Sequence, residues 1–231
     1  MIAVDVRLYD SSSSSDFEEK KQTEVVIVLP STDSCDKPKR YLVHLPVFVP
    51  AVTFVQAAFS VYYVGIMQND IITIISSPLV FSPFRQTELW RFVTYMFVHD
   101  GMAHISLNTL FQLLIGVPLE GIHGWRKVVV VYFVGGAIGV LMGSNWHPFA
   151  YGMGSSGAIF VMVGCLLTTA VFHVALPSRG IRCGIAALCF MVIMFSVLQA
   201  EFLFTDQNAE DSGVFSFNLL SISLFRGIMA W

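Results

Sequence analysis

Five apolar segments, each close to the length of a membrane-spanning helix, follow one another along most of the chain. A helix needs about 20 mainly apolar residues to cross the hydrocarbon core of a bilayer, because each residue adds only about 1.5 Å. The segments lie at about 47–67, 104–119, 128–142, 156–176 and 181–204, and a sixth, 212–231, is interrupted by Arg226. The pattern predicts an all-α integral membrane protein with five or six transmembrane helices.

The composition supports a membrane protein and excludes several other classes. Hydrophobic residues make up 55% of the chain and charged residues only 13%, whereas a typical soluble domain is about 25% charged. The net charge of −3 provides no basic surface for a nucleic acid. The four cysteines form neither a CxxC pair nor a zinc-binding spacing, so we predict them to be small buried side chains rather than metal ligands.

Residues 1–46 differ in character from the rest of the chain. They hold eight of the 16 acidic residues and the serine run 11–15, a composition that is typical of disorder. We predict a largely disordered tail, in which residues 25–29 could form a strand. The sequence does not open with a cleavable signal peptide pattern, so the first predicted span would act as the signal anchor.

The basic residues predict which end of each span faces the cytosol. With a cytosolic tail, ten of the 13 Lys and Arg residues fall on the cytosolic side, two (Arg85 and Arg91) fall on the other side, and Arg226 is unassigned. Lysine and arginine are enriched in the cytosolic loops of membrane proteins. The sequence therefore predicts a cytosolic N-terminus.

The segment between the first two predicted spans, residues 68–103, is unusually long for a loop. It is rich in aromatic residues and is broken by Pro78 and Pro83. Such a segment is too polar to span the membrane and too apolar to lie free in water. We predict that it is half-embedded at the membrane interface, with Trp90 and Arg91 as an interfacial anchor.

A glycine-rich stretch places a serine at the start of the fourth predicted span. It reads GMGSSGAIF over residues 152–160, with Ser156 between Gly154 and Gly157. Glycines let the backbone turn sharply, and the unused N–H groups at a helix start can stabilise an anion. Ser156 could therefore be a nucleophile beside part of an oxyanion hole, or the stretch could be a close-packed helix cap.

Two further groups of residues fall at informative spacings. His104 and Asn108 lie four residues apart, on one face at the outer end of the second predicted span. They either face a cavity near Ser156 or form interhelical hydrogen bonds. Three glycines in the third predicted span are spaced by four residues, which favours close helix packing. These glycines are Gly135, Gly139 and Gly143, while Glu120 and Gly124 are predicted to end the second span at the inner surface.

Together these motifs resemble the rhomboid family of intramembrane serine proteases. The resemblance runs from Glu88-Leu-Trp90-Arg91 through His104-xxx-Asn108 and Glu120-xxx-Gly124 to Gly154-Ser-Ser156-Gly157. The run IGVPLEGIHGW is most similar to the animal secretory-pathway rhomboids. The resemblance implies a rhomboid-like helical bundle over 47–213 with a half-embedded first loop, in a membrane of the secretory pathway or the plasma membrane.

The resemblance also implies roles for individual residues. Ser156 would be the nucleophile, and the oxyanion hole would consist of His104, Asn108 and the backbone N–H of Ser156; Ser155 is a rival nucleophile that the family pattern disfavours. The substrates would be single-span membrane proteins within the lipid bilayer, with no cofactor, metal or nucleic acid. The residues with implied structural roles are Trp90, Arg91, Glu120, Gly124, Gly135, Gly139, Gly154 and Gly157.

The resemblance fails near the end of the chain. The family's general base is a histidine in the sixth helix, and this chain has no histidine after His173. Residues 214–231 form a divergent apolar segment and a possible sixth helix, for which an alternative C-terminus is one explanation. We therefore expect the protease scaffold in this chain to be inactive, unless His99 or His147 replaces the base.

Two other functions remain open on the sequence. One is a non-catalytic rhomboid that binds transmembrane clients. The other is a small transporter or channel, which is disfavoured because the predicted spans show neither midplane charges nor repeated halves.

Overall fold

A computed structural model describes residues 3–5, 24–29, 39–63, 71–146, 148–172 and 179–205. The longer helices in this part of the chain are α1 (Phe48–Val61), α4 (Met102–His123), α5 (Trp125–Trp146), α6 (Ser156–Val171) and α7 (Arg179–Thr205). Between α1 and α4 lie the short helices α2 (Ile71–Ser76) and α3 (Arg91–Thr94), followed by a 3₁₀ turn at Tyr95–Phe97.

The predicted all-α membrane bundle is confirmed. Three of the described helices are long and apolar enough to cross a membrane, over Met102–His123, Trp125–Asn145 and Arg179–Ser196. α1 and α6 are shorter apolar helices. The predicted sixth segment, 212–231, lies outside the described residues.

The N-terminal tail, which we predicted to be largely disordered, contains three short strands. Strands β1 (Ala3–Asp5), β2 (Glu24–Leu29) and β3 (Lys39–His44) form an antiparallel sheet in the order β1-β2-β3. The strand considered at 25–29 is part of β2, whose β-branched residues suit a pleated sheet. Because β3 pairs with β2 along its whole length, these backbone groups are satisfied where a lone strand would leave them unpaired. The rest of 1–46 lies outside the described residues.

The helix boundaries differ from the predicted ones at charged residues. The second predicted span ends at residue 119, but α4 continues to His123 and is terminated by Gly124, whose φ of 81° favours glycine. The third predicted span starts at residue 128, but α5 already begins at Trp125. A hydropathy pattern ends an apolar segment at the first charged residue. A helix instead continues for as long as its backbone hydrogen bonds continue. The predicted ends of the first and fourth spans, 67 and 176, lie outside the described residues.

Helix α6 packs against α4, α5 and α7 and is the centre of the bundle. Its contact with α5 depends on glycine, because a Cβ at Gly135 would lie 2.8 Å from the Cβ of Val161. The neighbouring Gly136, which the predicted repeat does not include, has the Met96 sulfur in the space of its missing side chain. Gly139 in the same helix is also buried.

Glu120 joins the end of α4 to the start of α1. Its carboxylate accepts hydrogen bonds from the backbone N–H groups of Val47, Phe48 and Val49 at 2.8, 2.7 and 2.8 Å. These groups have no partner within α1, because the first N–H groups of a helix lack intrahelical acceptors. Glu120 therefore holds two helices together at one end of the bundle.

Arg91 anchors the long segment between α1 and α4. Its side chain is buried, and it donates to the carbonyl oxygens of Ser77 and Val80 and to Glu88. Trp90 donates from Nε1 to the Pro78 carbonyl oxygen and remains 54% exposed. An exposed indole beside a buried guanidinium fits the predicted half-embedded loop, since aromatic side chains favour the membrane interface.

Candidate active site

The backbone changes direction sharply just before the first turn of α6. Gly152 and Phe81 exchange two backbone hydrogen bonds, and the Gly154 N–H donates to the Tyr95 carbonyl oxygen. Gly154 then adopts a φ of 92°, which side chains with a Cβ rarely adopt. Ser155 is the N-cap residue, and Ser156 is the first residue of α6. The loop thus presents Ser156 at a helix start, as predicted.

His104 and Asn108 lie directly against this turn. A Cβ at Gly154 would be 2.7 Å from His104 Nε2 and 3.4 Å from Asn108 Nδ2. Close approach is possible only because Gly154 has no side chain. The structure therefore brings the start of α4 to the start of α6, and the predicted site residues are neighbours.

A cavity of about 340 Å³ opens between α4, α6 and α7. Ser156, His104 and Asn108 line it, together with Asp100, Phe111 and Ser196 among others. Ser155 is fully buried (0% exposed) and is not among the lining residues. Of the two candidate serines, Ser156 is therefore the one that faces a space where a ligand could enter.

The Ser156 hydroxyl has no hydrogen-bond partner among the described residues. A buried hydroxyl without a partner costs about 1–3 kcal/mol, so such groups are rare in native structures. The backbone N–H of Ser156 belongs to the first turn of α6, where helices leave donors unused. The hydroxyl without a partner thus belongs to a residue that lines the cavity.

Asp100 is a functional candidate that the sequence analysis missed. Its Oδ1 atom lies 2.6 Å from His104 Nδ1, and both side chains line the cavity. Burial acts to raise the pKa of Asp100, but the hydrogen bond and the charge of His104 outweigh it and lower that pKa. The carboxyl group is therefore ionised at neutral pH. The spacing of four residues between Asp100 and His104 was the available signal.

His99 packs its ring against the other side of His104. The ring centroids are 5.1 Å apart in an edge-to-face arrangement. His99 is fully buried, and burial together with the charge of His104 lowers its pKa to about 3. His99 is therefore neutral at physiological pH and is not among the residues that line the cavity.

The other histidines do not complete the site within the described residues. His123 lies at the opposite end of α4, with Nε2 2.9 Å from Thr169 Oγ1, and His44 ends β3. His147 and His173 lie outside the described residues. The described chain also contains no group of three His, Cys, Asp or Glu side chains placed to hold a metal ion.

The remaining predicted residues lie outside the cavity. Trp90 and Arg91 hold the segment before α4, and Glu120 and Gly124 lie at the far end of that helix. Gly135 and Gly139 lie in α5, and Gly157 is buried in the first turn of α6. Their positions fit packing rather than contact with a ligand.

Comparison with known proteins gives a consistent result. A family model described as a rhomboid domain matches residues 86–225. The chain is 34% identical to Rhomboid-related protein 2 of Mus musculus over 143 residues, which is 59% of this chain and 47% of the relative. It is 36% identical to Inactive rhomboid-related protein 2 of Caenorhabditis elegans over 129 residues, which is 54% of this chain and 36% of that protein.

A bacterial relative is also similar to this chain. Rhomboid protease GluP of Bacillus subtilis is 30% identical over 132 residues, which is 57% of this chain and 24% of the protease. This chain thus spans less than half the length of these relatives. The relatives include proteins whose names describe a protease and a protein whose name describes an inactive form.

Proposed function

Because this chain belongs to the rhomboid family, as the match over residues 86–225 shows, we propose that it is a rhomboid-type intramembrane serine endopeptidase scaffold. Its clients are the transmembrane segments of single-span membrane proteins. The observation that carries the proposal is the cavity that Ser156 shares with His104 and Asn108. Its apolar walls, which include Phe111 and Phe160, suit a membrane-spanning segment.

Ser156 is the nucleophile of this scaffold. Its Oγ attacks the carbonyl carbon of a client peptide bond, and the Asn108 amide and the Ser156 backbone N–H stabilise the oxyanion that forms. A serine hydroxyl also needs a base to take its proton. This chain has no histidine after His173, and loss of the base alone costs about 10⁶ in kcat in a serine protease.

The chain therefore binds clients and leaves their peptide bonds essentially intact. Client binding without cleavage is also the activity expected of the alternative function, a dedicated pseudoprotease, which the inactive Caenorhabditis elegans relative favours. We place the protein in a membrane of the secretory pathway or the plasma membrane, with a cytosolic N-terminus. In that orientation the Ser156 cavity opens towards the side opposite the cytosol.

Site-specific photo-crosslinking tests client binding. A photoreactive phenylalanine analogue replaces Phe111, which lines the cavity, and in a matched control it replaces Phe54, which is 75% exposed on α1. We expect a co-expressed single-span reporter to be captured at position 111 and not at position 54. Equal capture at both positions, or capture at neither, would contradict the proposal.

A further inference from the structure

A second cavity, of about 470 Å³, lies at the end of α4 that holds Glu120. The end of α4, the start of α5 and one side of α6 form its walls. Lys127, Gly164 and Thr168 in its lining are exposed, so the cavity opens to the outside of the bundle. It is therefore accessible to a molecule in the surrounding bilayer.

The polar lining residues lie together at one end of this cavity. His123 ends α4, and its Nε2 atom lies 2.9 Å from Thr169 Oγ1. The Thr169 hydroxyl donates to the Cys165 carbonyl oxygen at 2.8 Å, so its oxygen accepts the hydrogen bond from the His123 ring. Lys127 follows in the first turn of α5. An imidazole and an ammonium group thus share one end of the cavity.

The positive charge of Lys127 is not neutralised by the described structure. The ion pairs among the described residues involve Arg85, Arg91 and His104, and the described cavity lining contains no Asp or Glu. The carboxylate of Glu120 is fully buried and accepts three hydrogen bonds from the start of α1. This end of the cavity is therefore complementary to an anion.

The rest of the cavity is apolar and follows α6. The lining runs from Thr169 to Phe160, which is about 14 Å at a rise of 1.5 Å per residue. Nothing lies within 4 Å of the Cβ position of Gly164, in the middle of this stretch. Val131 and Val161 contribute apolar walls. The cavity thus has room for a hydrocarbon chain next to a cationic end.

We propose that this cavity binds an anionic phospholipid, with the lipid phosphate at Lys127 and an acyl chain along α6 past Gly164. Basic pockets between transmembrane helices on the cytosolic side bind lipid head groups. The end of α4 that holds Glu120 faces the cytosol in the orientation proposed above, and the cytosolic leaflet carries anionic lipids. The site goes beyond the proposed function, which supplies only the choice of leaflet.

The lipid site and the client site are at different places on α6. Phe160 borders both cavities, but the polar residues of each lie at opposite ends of the helix. Ser156 and Thr169 are separated by about 20 Å of helix rise. Lipid binding can therefore be measured without a client, and client capture can be measured without the lipid site.

Native mass spectrometry of the full chain released from detergent micelles measures lipid binding. Dioleoyl phosphatidylserine is compared with dioleoyl phosphatidylcholine, which has the same acyl chains and no net charge. We expect phosphatidylserine to bind about fivefold more tightly, the effect of one basic residue near an anionic lipid. Glycerophosphoserine, the soluble head group without acyl chains, should not displace the lipid when added in excess.

Two neighbouring cations supply a matched pair of variants. Lys127→Gln should weaken phosphatidylserine binding by about fivefold and leave phosphatidylcholine binding unchanged. Arg126→Gln removes the same charge from an exposed residue outside the described lining, where the guanidinium lies over the Trp125 ring. It should weaken phosphatidylserine binding by less than about twofold, because charge at the bilayer surface acts less strongly than charge in the cavity.

A second pair of variants tests the apolar part of the cavity. Gly164→Leu fills the open space beside α6 and should weaken the binding of phosphatidylserine by about tenfold, the effect of displacing about two buried methylene groups. Gly164→Ala adds one methyl group and should leave most of the binding. Reporter capture at position 111 is measured in each variant and shows that the bundle has folded.

Each result bears on the lipid site alone. Equal binding of the two lipids, or equal effects of Lys127→Gln and Arg126→Gln, would overturn the proposal. Displacement of the lipid by glycerophosphoserine would show a site for a soluble anion and would also overturn it. Because these measurements use detergent and no client, they do not depend on the orientation of the chain or on the function of the Ser156 cavity.

Discussion

At the end of α4 that holds Glu120, one carboxylate pairs with three backbone N–H groups. At the end that holds His104, the hydroxyl of Ser156 and both ring nitrogens of His99 are buried without hydrogen-bond partners in the described structure. The two ends are separated by roughly 24 Å of helix, from the rise of 1.5 Å per residue. At the Glu120 end one buried side-chain atom, His44 Nδ1, lacks a partner, whereas at the other end all three of the atoms just named do.

This difference between the two ends distinguishes residues that stabilise the bundle from residues whose polar groups could contact a ligand. Unpaired buried polar atoms destabilise a protein and persist where something else requires them. Substitutions at the Glu120 end should therefore reduce stability, whereas removal of unpaired atoms at the Ser156 end should preserve or increase it. The following predictions test this contrast, starting with the largest expected effect.

Glu120→Ala should cause the largest loss of stability. It leaves three N–H groups at the start of α1 without acceptors, which we expect to cost about 3 kcal/mol or more of unfolding free energy. Glu120→Gln retains one acceptor oxygen and should cost less. Reversible unfolding in mixed micelles measures both, and a loss below about 1 kcal/mol for Glu120→Ala would contradict the capping role.

Gly154→Ala should impair both stability and the site. A Cβ there would be strained at φ 92° and would meet His104, so we expect a loss of about 2 kcal/mol in unfolding free energy and displacement of the His104 ring. Gly164→Ala is the matched control, because nothing lies within 4 Å of its Cβ position. That helical substitution should stabilise the protein by about 0.5–1 kcal/mol. Equal effects of the two variants would contradict the close approach.

His99 should make the folded protein sensitive to mild acid. Its folded pKa of about 3 lies below the ordinary value of 6.5, so the unfolded chain takes up the proton first as the pH falls. Stability is therefore complete above pH 6.5 and decreases below it, by about 2 kcal/mol at pH 5. His99→Phe should remove most of the difference between unfolding at pH 7.5 and at pH 5; an unchanged difference would refute this origin.

Ser156→Ala should have the smallest effect and the opposite sign. It removes a buried hydroxyl that has no partner, so we expect a gain of about 1 kcal/mol in unfolding free energy. Ser106→Ala on the exposed face of α4 should change nothing. A loss of stability in Ser156→Ala would mean that the hydroxyl contributes to packing.

Local patterns in the sequence predicted the membrane helices and the position of Ser156. Apolar length identifies spans, and the four-residue spacing of His104 and Asn108 places them on one helical face, as found. These features depend on nearby residues, so they can be read from a linear sequence. The strand considered at 25–29 was also found, but its pairing partner at Lys39–His44 was not predicted.

Contacts between distant segments were not predictable in the same way. The sequence predicts Glu120 only as the end of a span, yet its hydrogen-bond donors lie 71 to 73 residues away in the chain. Gly136 meets Met96 from another segment, and no periodicity distinguishes it from its neighbours. Asp100 was missed although its spacing to His104 was visible, because the family motif directs attention to histidine and asparagine alone.

Cleavage of a single-span reporter in cells tests the central claim most directly. The parent chain, its Ser156→Ala variant and an active rhomboid protease are compared, with reporter capture at position 111 as the measure of binding. We predict that the active protease produces the fragment, that neither form of this chain does so, and that both capture the reporter. A fragment made by the parent and lost in Ser156→Ala would contradict the account, and would identify a chain that completes proteolysis with the groups it has.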